Sequence, residues 1–154
     1  MNHMFFNWTS LKYFKTSNHF KTDNVINMYH MFYYCSSLEN FNLSNFNTKY
    51  VREMSTMFSY CTSLTSLDLS KFNIDNVQEI IYMFFKCSSL TTLNFNTGKV
   101  NDMSKMFSKC SSFTSFISSK FNSNKVKEMS IMFFGCLKLK EKTKDKDVSP
   151  IERN

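Results

Sequence analysis

The stretch M-F-S-Y-C-T-S-L-T-S-L-D-L-S, residues 57–70, contains the pattern that organises the whole chain. Its Met-Phe pair occurs six times, at successive spacings of 27, 26, 26, 23 and 26 residues. The pairs are Met4-Phe5, Met31-Phe32, Met57-Phe58, Met83-Phe84, Met106-Phe107 and Met132-Phe133. A cysteine follows three residues after the Phe in all but the first pair, where Trp8 stands instead: Cys35, Cys61, Cys87, Cys110 and Cys136. A period of this length is the signature of stacked repeats.

Two hydrophobic patterns alternate within each repeat. After the cysteine, L-x-x-L-x-L ends in the alternation typical of a short strand with one buried face, as at Leu64, Leu67 and Leu69. The segment before the cysteine spaces its apolar residues as one stripe of a helix, at i, i+3, i+7 and i+10: Val77, Ile80, Phe84 and Cys87. The sequence therefore predicts one strand and one short helix per repeat.

A single strand and helix cannot bury both apolar faces, whereas stacked copies can. We therefore expect an α/β solenoid of about five repeats of 23–27 residues over residues 1–139, with short parallel strands on one face and short helices on the other. Its first repeat is irregular and cap-like. Residues 140–154 are charged and aperiodic, which favours a disordered tail.

The repeated motif also carries a family resemblance. M-F-x-x-C-S-S-L-T-S-L-D-L-S-K-F-N, with N-V and M-S downstream, resembles the BspA-like leucine-rich repeat surface proteins over about residues 4–139. The resemblance implies a leucine-rich-repeat fold without catalytic activity, exposed on a cell surface or secreted. It also implies a role in adhesion to host proteins or to other cells.

The cysteines are predicted to be structural core residues. They recur 23 or 26 residues apart, unlike the close pairs of metal sites, and their number is odd. Stacking would bring them into register at distances a disulfide could span, but with parallel side-chain vectors that oppose its geometry. Buried, reduced thiols are the favoured interpretation, with a disulfide or a metal site as the alternatives.

Charge and chemistry-bearing residues point away from catalysis. The net charge is +7, but the lysines are scattered, which favours a solvated surface over nucleic-acid binding. The histidines His3, His19 and His30 lack a recurring carboxylate or serine partner, so we predict no enzyme, cofactor or metal. The sequence contains no apolar run of about 18 residues, so we predict no membrane span. The N-terminal segment does not have the pattern of a signal peptide.

The outward positions of the strands are the candidate ligand-facing surface. They are polar, small and nearly uncharged, and they could meet a protein or a glycan. These positions are Asn40, Asn42, Ser44, Ser66, Asp68, Ser70, Thr92, Asn94, Asn96, Ser115 and Ile117. The same residues are also what a merely solvated sheet would present.

The resulting hypothesis is a non-enzymatic protein-interaction or adhesion module at a cell surface. The alternative is a cytoplasmic protein-binding repeat module, or a fragment of a larger repeat protein. Neither the ligand nor the oligomeric state follows from the sequence.

Overall fold

Each of the first five repeats contributes one short strand. In a computed structural model of the chain, the structure describes residues 1–17, 19–97, 100, 102–117 and 131–139. The predicted tail, residues 140–154, lies outside this part. The strands, each three residues long, are β1 (Tyr13–Lys15), β2 (Asn40–Asn42), β3 (Ser66–Asp68), β4 (Thr92–Asn94) and β5 (Ser115–Ile117).

The strands pair in parallel with equivalent repeat positions side by side. β1 pairs with β2, and β3, β4 and β5 form a second sheet in that order. In the second sheet Leu67 lies opposite Leu93, and Leu93 lies opposite Phe116. The gap between the two sheets is bridged by the Thr65 N–H, which donates to the Glu39 carbonyl at 3.4 Å. The predicted parallel stacking of short strands is therefore present.

The predicted helices are wrong, and with them the α/β class. No helix forms in the described residues, and the segments of the Met-Phe motifs are consecutive turns. Two residues with left-handed backbone interrupt these turns: the one before the Met and the one three after it, as at Thr56 (φ 58°) and Tyr60 (φ 63°). A continuous right-handed helix cannot contain such residues.

Backbone hydrogen bonds explain why turns replace the helices. The Cys35 N–H donates to Phe32 within its own repeat (3.2 Å), whereas the Phe32 and Tyr34 N–H groups donate to Met57 and Ser59 of the next (both 2.9 Å). Each turn is thus tied to its neighbour much as strands are. α-Helices about 10 Å wide can stack beside strands about 4.8 Å apart only if the solenoid curves and spreads the helices on its outer side. A turn ribbon matches that spacing.

The core consists of columns of identical side chains. The Phe of the Met-Phe pair forms a stack through six repeats, with ring centroids 5.1–5.7 Å apart and interplanar angles of 1–11°. The paired Met is buried beside it from Met31 onward, as are Val51, Val77 and Val100. At the N-terminal end Trp8 is 52% exposed and packs edge-on against Phe5.

A threonine column, Thr22 and Thr48, ties the connections after β1 and β2 to the next repeat. The Thr48 hydroxyl donates to the Asn73 carbonyl (2.9 Å) and accepts the Asn73 N–H (2.8 Å). Thr22 makes the same two bonds with Asn47. Ile74 occupies this position in the following repeat and is buried. The equivalent Thr97 is also buried, but its hydroxyl has no hydrogen-bond partner among the described residues.

Candidate interaction surfaces

The outward strand positions form a continuous exposed ladder. Register places Ser66, Thr92 and Ser115 side by side, and Asp68 beside Asn94. Ser66, Asp68, Asn94 and Ser115 are exposed, and Thr92 is half-buried. The remaining candidates continue these columns: Asn42, Ser44 and Ser70 are exposed, Asn96 is half-buried, Asn40 pairs with Tyr13 in β2, and Ile117 pairs with Asn94 in β5.

Two ladder residues are partly used by the fold. The Asp68 carboxylate accepts the Ser70 N–H at 2.9 Å, and the Asn42 side-chain oxygen accepts the Ser44 N–H at 2.8 Å. Hydrogen bonding from Ser70 lowers the pKa of Asp68, and the charge of Lys71 adds to that effect. Asp68 is therefore a carboxylate at neutral pH, with one oxygen committed to a turn.

The cysteines line the interior. Cys35, Cys61, Cys87 and Cys110 are buried, and Cys136 is partly exposed. Each thiol donates to the carbonyl of the Phe in the preceding repeat, as Cys61 does to Phe32 at 3.2 Å. Burial raises the pKa of Cys35 to about 11 and that of Cys136 to about 12. Cys35 and Cys136 therefore stay protonated at neutral pH, which makes them poor nucleophiles and poor metal ligands.

No three His, Cys, Asp or Glu residues lie close enough to hold a metal ion in the part of the chain that the structure describes. Outside the core, the His3 Nε2 and His30 Nδ1 atoms lie 3.2 Å apart. Over the same residues, no helix has the length and apolar character needed to cross a bilayer.

A second surface escaped the sequence analysis. The turns of the Met-Phe motifs carry aromatic side chains that contact one another from repeat to repeat. We call this surface the aromatic face and define it by Tyr33, Tyr34, Tyr60, Tyr82 and Phe85. The recurrence of rings beside the Met-Phe pairs was visible in the sequence. The helix prediction addressed only the buried stripe of this segment, so the rings beside it were not singled out.

Lysines stand over the rings of the aromatic face. The Lys86 ammonium lies 4.8 Å from the centre of the Tyr60 ring and 5.5 Å from that of Phe85. In the same way, Lys105 lies 5.1 Å from Tyr82. These are cation–π distances. The face therefore combines apolar rings with positive charge.

Comparison with known families covers nearly every position of the sequence. The profile of a family described as Mycoplasma protein of unknown function, DUF285, matches residues 1–94 and 91–154. Comparison with curated proteins gave no match, and neither did comparison with solved structures. The two profile matches overlap and together run from the first residue to the last. The chain therefore belongs to the DUF285 family of Mycoplasma proteins of unknown function.

Proposed function

We propose that this chain is a non-enzymatic recognition module, carried at the cell surface, that adheres to a protein or glycan through the outward side chains of its strands. One observation carries the proposal: the parallel register aligns polar side chains of successive repeats into exposed columns. Ser66, Thr92 and Ser115 form one such column. A repeated, exposed column can be read by an extended ligand one repeat at a time.

The chemistry of the ladder suits a polar ligand. Hydroxyl and amide groups both donate and accept hydrogen bonds, as Ser66 and Asn94 can, and they adapt to different partners. The ladder lacks the aromatic and arginine anchors that give single residues large binding energies. We therefore expect weak contacts per repeat, with useful affinity only when several repeats engage.

Two further features support a role without catalysis. Burial raises the pKa of Cys35, Cys61, Cys87 and Cys136, which keeps these thiols protonated and makes them poor nucleophiles. The resemblance of the repeats to BspA-like surface proteins favours adhesion and an exposed location.

Binding to a glycan array and to immobilised extracellular-matrix proteins would test the proposal. We expect saturable binding to at least one of these probes. Replacing a ladder residue by a bulky cation, in Asn94→Arg or Ser115→Arg, should weaken that binding about tenfold or more. The matched control is Gln78→Arg, an exposed amide of the same chain away from the strands.

The control variant should bind as the parent does. Absence of binding to every probe would overturn the proposal. Equal binding by the parent and both ladder variants would show that adhesion uses another surface.

A further inference from the structure

The aromatic face is continuous over three repeats. Tyr60 is at its centre, with ring centroids 5.5 Å from Tyr33, 5.2 Å from Tyr34 and 5.4 Å from Phe85. Tyr82 extends it from Phe85 at 5.1 Å. Tyr34 is 42% exposed, and the other rings are half-buried. Contiguous exposed rings on a repeat protein are typical of an interaction surface.

One column of equivalent turn positions contains Tyr34, Tyr60, Lys86 and Lys109, between Asn7 in the first repeat and Gly135 in the last. Two repeats of this column therefore carry rings, and the next two carry ammonium groups. Backbone bonds tie each of these positions to the next repeat: the Tyr34 N–H donates to Ser59, and the Tyr60 N–H donates to Phe85, the residues just before the equivalent positions. Neighbouring members of the column are therefore fixed in register.

The charges of Lys86 and Lys109 are not neutralised by an ion pair within the described residues. Among those residues, Lys12 and Glu39 make an ion pair at the distant first strands. Two carboxylates of nearby turns accept backbone N–H groups: Glu53 accepts the Ser55 N–H, and Asp102, seven residues before Lys109, accepts the Ser104 N–H. The surface thus offers cations beside apolar rings.

We infer that the aromatic face binds an acidic polypeptide segment, one that carries Asp or Glu carboxylates beside aromatic or aliphatic side chains. The ammonium groups of Lys86 and Lys109 pair with the carboxylates. The rings of Tyr34 and Tyr60 pack against the apolar side chains. Tyrosine is among the residues that contribute most at protein interfaces, because it buries a large rigid ring and still hydrogen-bonds.

Geometry favours a polypeptide over nucleic acid. Phe85 meets Tyr60 at 77° and Tyr82 at 85°, so these three rings pack edge to face and give no flat platform on which bases could stack in succession. The Lys86 ammonium also covers one side of the Tyr60 ring. A row of phosphates would need more cations than this face supplies.

Fluorescence anisotropy with labelled poly-L-glutamate and a random glutamate–tyrosine copolymer tests this inference. The copolymer should bind more tightly, and binding of both should weaken between about 50 mM and about 300 mM salt. Lys86→Gln should weaken binding about threefold or more, as should Tyr60→Asn. Asn accepts the left-handed backbone of Tyr60, so this variant removes the ring without straining the turn.

A matched pair outside the face provides the control. Lys49 lies 5.3 Å above the ring of Tyr50, which is 51% exposed. Lys49→Gln and Tyr50→Asn make the same chemical changes there and should leave binding unchanged. If these control variants lose as much binding as Lys86→Gln and Tyr60→Asn, the binding is not specific to the aromatic face, and the inference is overturned.

Two other outcomes would also overturn it. One is preferential binding of heparin or oligothymidylate with the same dependence on Lys86 and Tyr60. The other is the absence of copolymer binding by the parent chain. If Tyr60→Asn does not fold, Lys86→Gln and Tyr34→Asn carry the test, and neither touches the strand ladder on which the proposed adhesion rests.

Discussion

The rings of Phe107 and Phe133 lie parallel, with 1° between their planes and 5.4 Å between their centroids, although 26 residues separate them in the chain. The Phe107 N–H donates to the Met132 carbonyl beside them at 3.0 Å. Ring stacking and a backbone bond thus enforce the same register between neighbouring repeats. Because each repeat contacts only its neighbours, damage to one repeat should weaken the stack on both sides.

Removing one ring from the middle of the stack should be costly. Phe58 is fully buried between Phe32 and Phe84. We expect Phe58→Ala to lower the free energy of unfolding by about 3–5 kcal/mol, because it removes burial and leaves a cavity. Urea unfolding followed by circular dichroism measures this. Phe134→Ala, at a ring that is 42% exposed, is the control and should cost less than about 1 kcal/mol; similar losses would contradict the stacked core.

The five thiols should differ in reactivity. In the native protein Cys136, which is partly exposed, should react first with a thiol reagent, whereas Cys35, Cys61, Cys87 and Cys110 should react only as fast as the fold opens. All five should react rapidly in denaturant. Time-resolved labelling followed by mass spectrometry measures the reaction rate of each cysteine. Fast modification of Cys61 in the native protein would contradict its buried position.

The buried hydroxyl groups of the threonine column should stabilise the folded state. Thr48→Val keeps the shape but leaves the amide and carbonyl of Asn73 without the bonds they now make. We expect a loss of about 1–3 kcal/mol in unfolding experiments. Thr91 donates a comparable bond to the Thr65 carbonyl at 3.0 Å but is exposed, so Thr91→Val should change little because water replaces the bond. Equal effects at both sites would mean that burial is not the cause.

The first two repeats should separate more readily in acid. Burial, helped by the neighbouring charge of His3, lowers the pKa of His30 below its usual 6.5. The folded state therefore prefers the neutral ring. This contribution to stability is complete above 6.5 and is lost as pH falls through the lower folded value. Amide exchange at Phe5 and Asn7, which donate to the second repeat, should accelerate at about pH 5 beyond the intrinsic effect of pH.

His30→Asn is the control for that experiment. It removes the titrating ring, and Asn tolerates the left-handed backbone at this position (φ 56°). Exchange at the same amides should then lose the additional pH dependence. Persistence of that dependence in the variant would assign it to another group.

Sequence periodicity was sufficient to identify the repeat and which residues share a column. Leu67, Leu93 and Phe116 were expected to be equivalent, and they are register partners in the sheet. The exposure of Ser66 and Asn94 followed from the alternation of the strand. Such positions can be predicted from the sequence because the same position of every repeat is buried.

Periodicity misjudged the other half of the repeat. Val77, Ile80, Phe84 and Cys87 have the spacing of a helix stripe, yet all four are buried in a chain of turns. The spacing of buried residues cannot distinguish the two structures when both place the same side chains inward. The error also concealed the aromatic face, because Tyr60 and Phe85 project from those turns rather than from a helix.

The amino-acid order alone thus set the repeat, the strand positions and the buried columns, since each depends on which residues avoid water. Stacking decided the rest. Once neighbouring repeats must approach within the distance of paired strands, N–H groups such as that of Phe32 find their acceptor in the next repeat rather than four residues back. That long-range bond excludes the helix, turns Tyr34 and Tyr60 into left-handed corners, and brings their rings together on one surface.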